Sequence, residues 1–296
     1  MNGILLIDKP VGWTSNDVVI KLKGILHQRR VGHSGTLDPM ATGLLVVFAG
    51  RATRAVEFAE AHSKRYIAHL RLGTTTDTQD ISGTVLESRR VDVSEQEVKD
   101  TLKYFEGVQE QLPPMYSAIK VNGQKLYDIA RKGGEVERKK RSIEISAMKY
   151  LGRDGDDYII DVSCSKGTYI RTLCYDIGQR LGCGGCMSYL RRVSAGDFSV
   201  ENAVCIENVQ KAADEGRVHE LLLPVDSLFA AFPEYLANER EEQRIKCGNE
   251  IPSGLPDGDY RVYSKAGEFL MLGRVSSGMM KTVKSFFEVE VKKWQR

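Results

Sequence analysis

A short stretch near the N-terminus, residues 31–45, concentrates side chains that could do chemistry. It reads VGHSGTLDPMATGLL, and its one carboxylate, Asp38, stands directly before Pro39 and between Gly35 and Gly43. Glycine permits positive φ or a close approach by another group, while proline fixes its own φ and holds the preceding residue extended. These residues would hold the Asp38 carboxylate at a set angle, directly upstream of a buried strand, and its role has to be inferred from the rest of the chain. The alternative, an Asx-turn residue before proline, explains the Asp-Pro pair but not the surrounding glycines and hydroxyls.

A second concentration of functional groups is the basic segment at residues 116–141. It contains eight basic and three acidic residues, a net charge of +5, whereas the whole chain carries only +2. Tyr116 and Tyr127 lie among these cations. Interleaved aromatic rings and positive charges suit a polyanion with exposed bases. The alternative is a solvated surface helix and loop.

Metal and redox sites have little support in the sequence. Of the six cysteines only Cys183 and Cys186 form a C-x-x-C pair, and a structural zinc site usually needs a second pair. The pair also follows a predicted helix, whereas a thioredoxin-like motif opens one, so reduced thiols are the favoured interpretation. The five histidines lack metal-ligand spacing, and motifs for dinucleotides, P-loop phosphates, serine hydrolysis and zinc hydrolysis are absent. We therefore expect no metal and no cofactor.

The apolar runs predict a cytoplasmic protein that does not cross a membrane. The longest of them, such as LLVVFA at residues 44–49, are far too short to span a bilayer. Asp8 and Lys9 interrupt the only early apolar stretch, which argues against a signal peptide.

The elements that must position Asp38 are a mixture of strands and helices. Apolar periodicity and capping residues predict strands at residues 3–10, 44–49, 65–73 and 157–165, and helices at residues 14–26, 94–105 and 168–182. Their irregular order favours an α+β fold with a mixed sheet. Beyond residue 231 the sequence pattern changes to one short charged helical segment followed by short strands between turns, which predicts a small β-rich domain.

Six motifs together resemble the TruB family of tRNA pseudouridine synthases, in the order of that family. They are DKPVGWTSNDVV (8–19), GHSGTLDPMATGLLVV (32–47), KRYIAHLRLGTTTDTQDISG (64–83), LPPMYSAIKVNGQKLYDIARKG (112–133), CSKGTYIRTLCYDIG (164–178) and YLRRVSAGDF (189–198). The resemblance implies a mixed, largely antiparallel central sheet flanked by helices. It also implies a catalytic domain at 1–231, an RNA-gripping insertion at about 112–150, and a PUA-like RNA-binding domain at 232–296.

The resemblance makes Asp38 the catalytic residue of a reaction that breaks the bond from ribose to N1 of uracil, turns the base and rejoins it through C5. Attack on the base, attack on the sugar and removal of a sugar proton all remain open as the role of this carboxylate. Tyr66 would stack on the flipped uracil and take part in proton removal at C5. Arg171 would pair with Asp38 and keep it anionic.

The resemblance also implies the surroundings of these groups. Tyr169 and Leu190 would line the same pocket, Lys9 with Pro10 would brace the catalytic loop, and His33 and Asp80 would contact nucleotides of the opened RNA loop. The expected RNA-binding residues are the basic ones of the insertion: Lys120, Lys125, Arg131, Lys132, Arg138, Lys139, Lys140 and Arg141.

The implied substrate is the uridine at position 55 in the T-loop of tRNA, modified by a stand-alone monomer without an obligate protein partner. Ser34 stands where bacterial members usually have threonine, and serine there resembles the guide-RNA-dependent relatives. The long basic insertion, however, is typical of the stand-alone type. Two alternatives remain: a guide-RNA-dependent synthase acting on ribosomal RNA, and an RNA-binding or tRNA-folding chaperone.

Overall fold

The computed structural model describes residues 1–117, 119–121 and 123–288. The strands are β1 (Gly3–Lys9), β2 (Val31–Ser34), β3 (Thr42–Ala49), β4 (Lys64–Leu72), β5 (Thr74–Thr76), β6 (Val85–Ser88), β7 (Gly107–Gln111), β8 (Lys120–Val121), β9 (Gln124–Lys125), β10 (Arg141–Asp154), β11 (Asp157–Cys164), β12 (Gly185–Ala195), β13 (Phe198–Ser199), β14 (Glu234–Leu236), β15 (Ile251–Pro252), β16 (Gly258–Tyr263), β17 (Phe269–Ser276) and β18 (Met279–Ser285). The α-helices are α1 (Ser15–Ile25), α2 (Val56–Glu60), α3 (Glu95–Tyr104), α4 (Leu126–Ala130), α5 (Ile170–Arg180), α6 (Ile206–Asp214) and α7 (Glu239–Lys246). Short 3₁₀ turns cover Gly50–Ala55, Val200–Asn202, Val218–Leu221 and Val225–Phe229.

A large mixed sheet forms the centre of the molecule. Its strand order is β1-β3-β12-β4-β11-β10-β7, with β2 added to β3 and β13 added to β12. Strands β3 and β12 pair in parallel and the other neighbours pair antiparallel. The predicted α+β class with a mixed, largely antiparallel sheet is therefore confirmed.

Two of the three predicted helices begin at the expected caps. The Thr14 hydroxyl accepts from the Asp17 amide at 3.1 Å, and the Asp17 carboxylate accepts from the Thr14 amide at 2.8 Å. Ser94 and Glu97 form the same reciprocal capping box before α3. Each box satisfies amide groups that the first helical turn leaves without a partner.

The sheet is covered on both faces by apolar side chains. One core lies between β4, β10, β11 and the helices α3 and α5, and a second lies beneath α1 and α6. A third core joins Phe48 of β3 and Phe229 to Leu272 and Phe286 of the C-terminal unit. The C-terminal unit is thus packed against the central sheet by shared apolar burial.

The basic insertion is an excursion between two neighbouring strands. Strands β7 and β10 pair from Gln111 with Arg141 onward, so the chain leaves the sheet at residue 112 and returns by residue 141. The boundary expected at about 150 is therefore too late, because residues 141–150 already form β10. Inside the excursion are the two-stranded ladder β8–β9 and the single-turn helix α4.

The C-terminal unit has the predicted β-rich character. Its five strands follow the order β14-β16-β17-β18-β15, and the charged helix α7 precedes β15. Within the described ranges, no helix is both long and apolar enough to cross a membrane.

Candidate active site

The loop between β2 and β3 presents Asp38 on a tight turn. The Ala41 amide donates to the Asp38 carbonyl at 3.0 Å, so Pro39 occupies the second position of a β-turn, for which its fixed φ is suited. The Ser15 hydroxyl of α1 accepts from the Leu37 amide at 2.9 Å and contacts the Leu37 carbonyl at 3.2 Å. The backbone directly before Asp38 is therefore fixed by a buried side chain.

Two glycines of this loop are required by their surroundings. Gly35 has φ +70° and Gly43 has φ +96°, values that residues with a Cβ adopt rarely. A Cβ at Gly43 would lie 2.3 Å from the Arg192 carbonyl oxygen, and one at Gly35 would lie 3.1 Å from Arg192 Nη1. The loop is thus shaped by close approach to β12.

Arg171 holds the Asp38 carboxylate from the first turn of α5. Its Nε lies 2.9 Å from Asp38 Oδ2 and its Nη2 donates to Asp38 Oδ1 at 3.2 Å, a two-point contact. The other guanidinium hydrogens bind the carbonyls of Thr78 at 3.1 Å and Tyr116 at 2.8 Å. The Arg171 side chain is only 6% exposed, whereas that of Asp38 is 35% exposed and reaches solvent-accessible space.

Burial and Arg171 act in opposite directions on Asp38. Desolvation, the larger effect, raises the pKa of the Asp38 carboxyl above its usual 3.8, while the Arg171 charge lowers it and Asp80 adds to the increase. The sequence-based expectation that Arg171 keeps Asp38 anionic describes only the second effect. The net direction is upward because desolvation outweighs the contributions of Arg171 and Lys9.

A cavity of about 540 Å³ opens above Asp38. Among its lining residues are five that the sequence singled out for the pocket: Asp38, Tyr66, Tyr169, Arg171 and Leu190. Tyr66 is the third residue of β4, and it is 8% exposed. Burial raises the pKa of the Tyr66 phenol, and the charge of Arg192 opposes that increase.

Lys9, His33 and Asp80 are not among the residues that line this cavity. Lys9 is fully buried, and its ammonium donates to the carbonyls of Pro10 at 2.9 Å, Trp13 at 2.6 Å and Pro39 at 3.4 Å. Desolvation lowers the pKa of Lys9 to about 8, against an opposing contribution from Asp38. Lys9 therefore contacts the turn that carries Asp38 from behind.

His33 and Asp80 flank the site from two other directions. His33 lies on β2, and burial followed by the Arg192 charge lowers its pKa. Its buried Nδ1 has no hydrogen-bond partner among the described residues. Asp80 Oδ2 lies 3.7 Å from Arg171 Nε, and its Oδ1 accepts from Thr78 Oγ1 at 2.8 Å and from the Ser82 amide at 3.0 Å.

Sequence reasoning did not single out three cations of the cavity wall, Lys64, Lys166 and Arg192. Lys64 lies two residues before Tyr66 on β4, and the period of a strand places both on one face. Arg192 pairs with Tyr66 across β12 and β4. The alternation of β4 could have identified Lys64 from the sequence. The pairing of Arg192 with Tyr66 could not be predicted without the strand order of the sheet.

The basic residues of the insertion divide into separate groups. Arg131, Lys132, Lys139 and Lys140 are exposed, whereas Arg138 is tied to the Pro113 carbonyl at 3.0 Å and to Glu135 at 3.2 Å. Arg141 is exposed and lines the cavity. The side chains of Lys120 and Lys125 lie outside the described part of the structure. The other candidate, the Cys183 and Cys186 pair, is buried, and the described residues contain no cluster of three or more metal-ligating side chains.

Comparison with known proteins shows the family to which the chain belongs. The sequence model described as the TruB family pseudouridylate synthase N-terminal domain matches residues 23–170, and that of the tRNA pseudouridylate synthase B C-terminal domain matches residues 171–230. A relative from Clostridium kluyveri named tRNA pseudouridine synthase B is 41% identical over 292 residues, which is 97% of this chain and 100% of the relative. The chain belongs to the TruB family. A second relative of that name, from Clostridium acetobutylicum, is 42% identical across 96% of this chain and 99% of its own length.

Solved structures share the fold of this TruB chain. A chain in "Crystal Structure of a Cbf5-Nop10-Gar1 Complex" superposes with a TM-score of 0.74 and is 26% identical, covering 96% of this chain and 85% of that one. A chain in "Structure of H/ACA RNP bound to a substrate RNA containing 2'-deoxyuridine" superposes with a TM-score of 0.73 at 23% identity, covering 97% of this chain and 85% of that one. The second likeness is evidence of the fold alone.

Proposed function

We propose that this TruB-family protein is a tRNA pseudouridine synthase that isomerises the uridine at position 55, in the T-loop. The observation that carries the proposal is the two-point contact between Arg171 and Asp38 on the floor of a cavity that also contains Tyr66. The relatives named tRNA pseudouridine synthase B support tRNA as the substrate, and the motif resemblance supports position 55.

The reaction is an isomerisation in which atoms are rearranged without net oxidation. The N1–C1′ bond breaks with its electron pair on the base, the uracil turns, the C5–C1′ bond forms, and the C5 proton leaves while N1 gains one. Each possible role of Asp38 requires an ionised carboxylate held close to the reacting nucleotide. Arg171 supports that ionisation against burial, and the β-turn fixes the direction of the carboxylate.

Tyr66, Tyr169 and Leu190 form the walls against which the flipped base would rest. A tyrosine ring supplies a stacking surface worth about 1–3 kcal/mol per base. Tyr66 lines the same cavity, and its hydroxyl would take part in removing the C5 proton. His33 and Asp80, which flank the Asp38 loop and Arg171, would contact neighbouring nucleotides of the opened T-loop.

The insertion and the C-terminal unit would hold the rest of the tRNA. Five exposed cations of the insertion would bind phosphates of the tRNA: Arg131, Lys132, Lys139, Lys140 and Arg141. We assign residues 1–231 to the catalytic domain and residues 232–296 to a PUA-like RNA-binding domain. The protein would act in the cytoplasm as a monomer without a cofactor.

The test is release of tritium from a T-stem-loop labelled at C5 of uridine 55, using the purified protein alone. A stand-alone synthase releases tritium from this RNA and not from a control stem-loop labelled at another uridine. A guide-RNA-dependent enzyme would be inactive without partner proteins, and a chaperone would bind the RNA without releasing tritium. Either of the last two results would overturn the proposal.

A further inference from the structure

Arg192 is a buried cation to which the proposed reaction gives no part. It is 1% exposed and is the largest fully buried side chain of the described residues. Among the described residues its side-chain hydrogen bonds go to two backbone carbonyls, and no carboxylate is in ion-pair contact with it. Burial of a guanidinium without a carboxylate is costly, so its hydrogen bonds are expected to have a specific purpose.

The hydrogen bonds of Arg192 connect both ends of the Asp38 loop. Its Nε donates to the Leu44 carbonyl at 2.7 Å, and its Nη2 donates to the Gly35 carbonyl at 2.9 Å. Gly35 precedes Asp38 by three residues and Leu44 follows it by six. Because the guanidinium is planar and its donors are in fixed directions, one side chain sets the spacing of the two loop ends.

The two glycines of the loop make room for this same residue. A Cβ at Gly35 would lie 3.1 Å from Nη1 of the guanidinium, and a Cβ at Gly43 would lie 2.3 Å and 2.8 Å from the Arg192 carbonyl oxygen and amide nitrogen. Gly35 and Gly43 are therefore both fitted to Arg192, which is far from them in the sequence.

Arg192 also lies beside the second reactive side chain of the cavity. It is directly opposite Tyr66 in the pairing of β12 with β4, so the two side chains share one face of the sheet, and both line the cavity. The same side chain is thus bound to the Asp38 loop and packed next to Tyr66.

We propose that Arg192 is a positioning residue that holds the Asp38 loop and Tyr66 in one fixed relation for the reaction described under Proposed function, on which this inference rests. It acts through those two groups, so its loss is expected to slow the chemical step more than it weakens RNA binding. Misplacement of a reacting group by about 1 Å costs roughly a hundredfold in rate.

The main test compares Arg192→Lys with Arg191→Met. Arg191 is the neighbouring arginine, partly exposed and paired with Asp8 through Nη2–Oδ2 at 2.7 Å. With T-stem-loop RNA we expect Arg192→Lys to lower kcat by about a hundredfold and to change KM by less than about threefold. The control is expected to keep kcat within about threefold. Partial recovery of Arg192→Ala by added guanidinium ion would identify the missing group. A folded Arg192→Lys protein with parental kcat would overturn the proposal.

Two further measurements test the inference even if the Arg192 variants fold poorly or the proposed function is wrong. Gly35→Ala leaves Arg192 in place but crowds Nη1, and a folded variant with unchanged kcat would also contradict the inference. Fluorotyrosine at position 66 reports the contact without any activity: its ¹⁹F resonance should shift in Arg192→Lys and not in Arg191→Met. An unshifted resonance would refute the positioning of Tyr66, whereas an inactive parent protein with the expected shift would refute the proposed function alone.

Discussion

Replacement of Asp38 with asparagine separates the chemical role of this carboxylate from its structural role. The change keeps the shape of the side chain and removes its charge. Arg171 contacts both carboxylate oxygens, at 2.9 and 3.2 Å, and asparagine offers only one acceptor oxygen. A hydrogen bond to a charged group contributes about 1.5–3 kcal/mol, and the 35% exposure of the Asp38 side chain reduces the expected loss to about 1 kcal/mol.

The loss of that contact is opposed by relief of desolvation. Burial raises the pKa of Asp38 in the folded protein above that in the unfolded chain. A group with a raised folded pKa stabilises the fold below its unfolded pKa, and this contribution disappears as the pH rises through the folded pKa. At neutral pH the ionised Asp38 therefore lowers the free energy of unfolding, and asparagine removes that cost. Because the net pKa change is upward, we expect Asp38→Asn to melt at the same temperature as the parent or a few degrees higher, at about 2–4 °C per kcal/mol.

Turnover should respond in the opposite way. An amide can neither attack as a nucleophile nor accept a proton at neutral pH, and loss of a reacting nucleophile costs roughly a thousandfold or more in kcat. The assays are single-turnover tritium release from the T-stem-loop, filter binding of the same RNA and thermal melting. We expect RNA affinity within about threefold of the parent, because the loop geometry depends on Gly35, Pro39 and Gly43.

The matched control is Asp8→Asn. Asp8 is also 35% exposed and also paired with an arginine through both oxygens, at 3.0 and 2.7 Å, but it is not among the residues that line the cavity. This variant should keep its turnover. If Asp38→Asn retains more than a tenth of the parental kcat, the assignment of Asp38 as the reacting carboxylate is refuted. A large loss of melting temperature would refute the electrostatic reasoning instead.

Three more predictions follow from named contacts. Tyr66→Phe keeps the ring and removes the hydroxyl, so it should bind RNA like the parent but lose most tritium release. Tyr66→Leu should lose both RNA affinity and tritium release. Equal activity of Tyr66→Phe and the parent would show that only the ring is needed. The double variant Lys139→Ser, Lys140→Ser should flatten the slope of log affinity against log salt by about two units. The control variant Arg138→Ser should mainly lower the melting temperature, because Arg138 is bound to the Pro113 carbonyl. An unchanged slope in the double variant would show that this pair is a solvated surface without RNA contacts. Burial lowers the pKa of Lys9 to about 8, below the 10.5 of the unfolded chain, so the unfolded state binds more protons between these two pH values. The parent should therefore gain stability relative to Lys9→Met as the pH rises from about 8 to 10.5. Melting temperatures of the two proteins that run parallel over that pH range would contradict this.

Local patterns predicted the elements around the site well. Thr14 and Ser94 begin their helices as capping boxes, β4 follows the alternation of RYIAHLRLG, and α5 ends just before Gly182, which has φ +78°. These features depend on residues close in sequence, so sequence is sufficient for them.

Long-range features were predicted less completely. The end of the insertion was placed about ten residues too late, because only the pairing of Gln111 with Arg141 reveals where β10 begins. The roles of Arg138 and Arg192 were missed for the same reason, since their carbonyl acceptors come from distant segments. A run of basic residues carries no sign of which member turns inward.

The Asp38 loop is held by cations from three different elements rather than by its own sequence alone. Lys9 from β1 contacts the Pro39 carbonyl at 3.4 Å, and Arg192 from β12 contacts the Gly35 carbonyl at 2.9 Å. Arg171 from α5 contacts the carboxylate itself. A short irregular loop next to a cavity would otherwise leave its carbonyls and its charge poorly satisfied. Arg171 and Lys9 also oppose the effect of burial on the pKa of Asp38, so two of the three cations that fix the position of this loop also favour its ionised carboxylate.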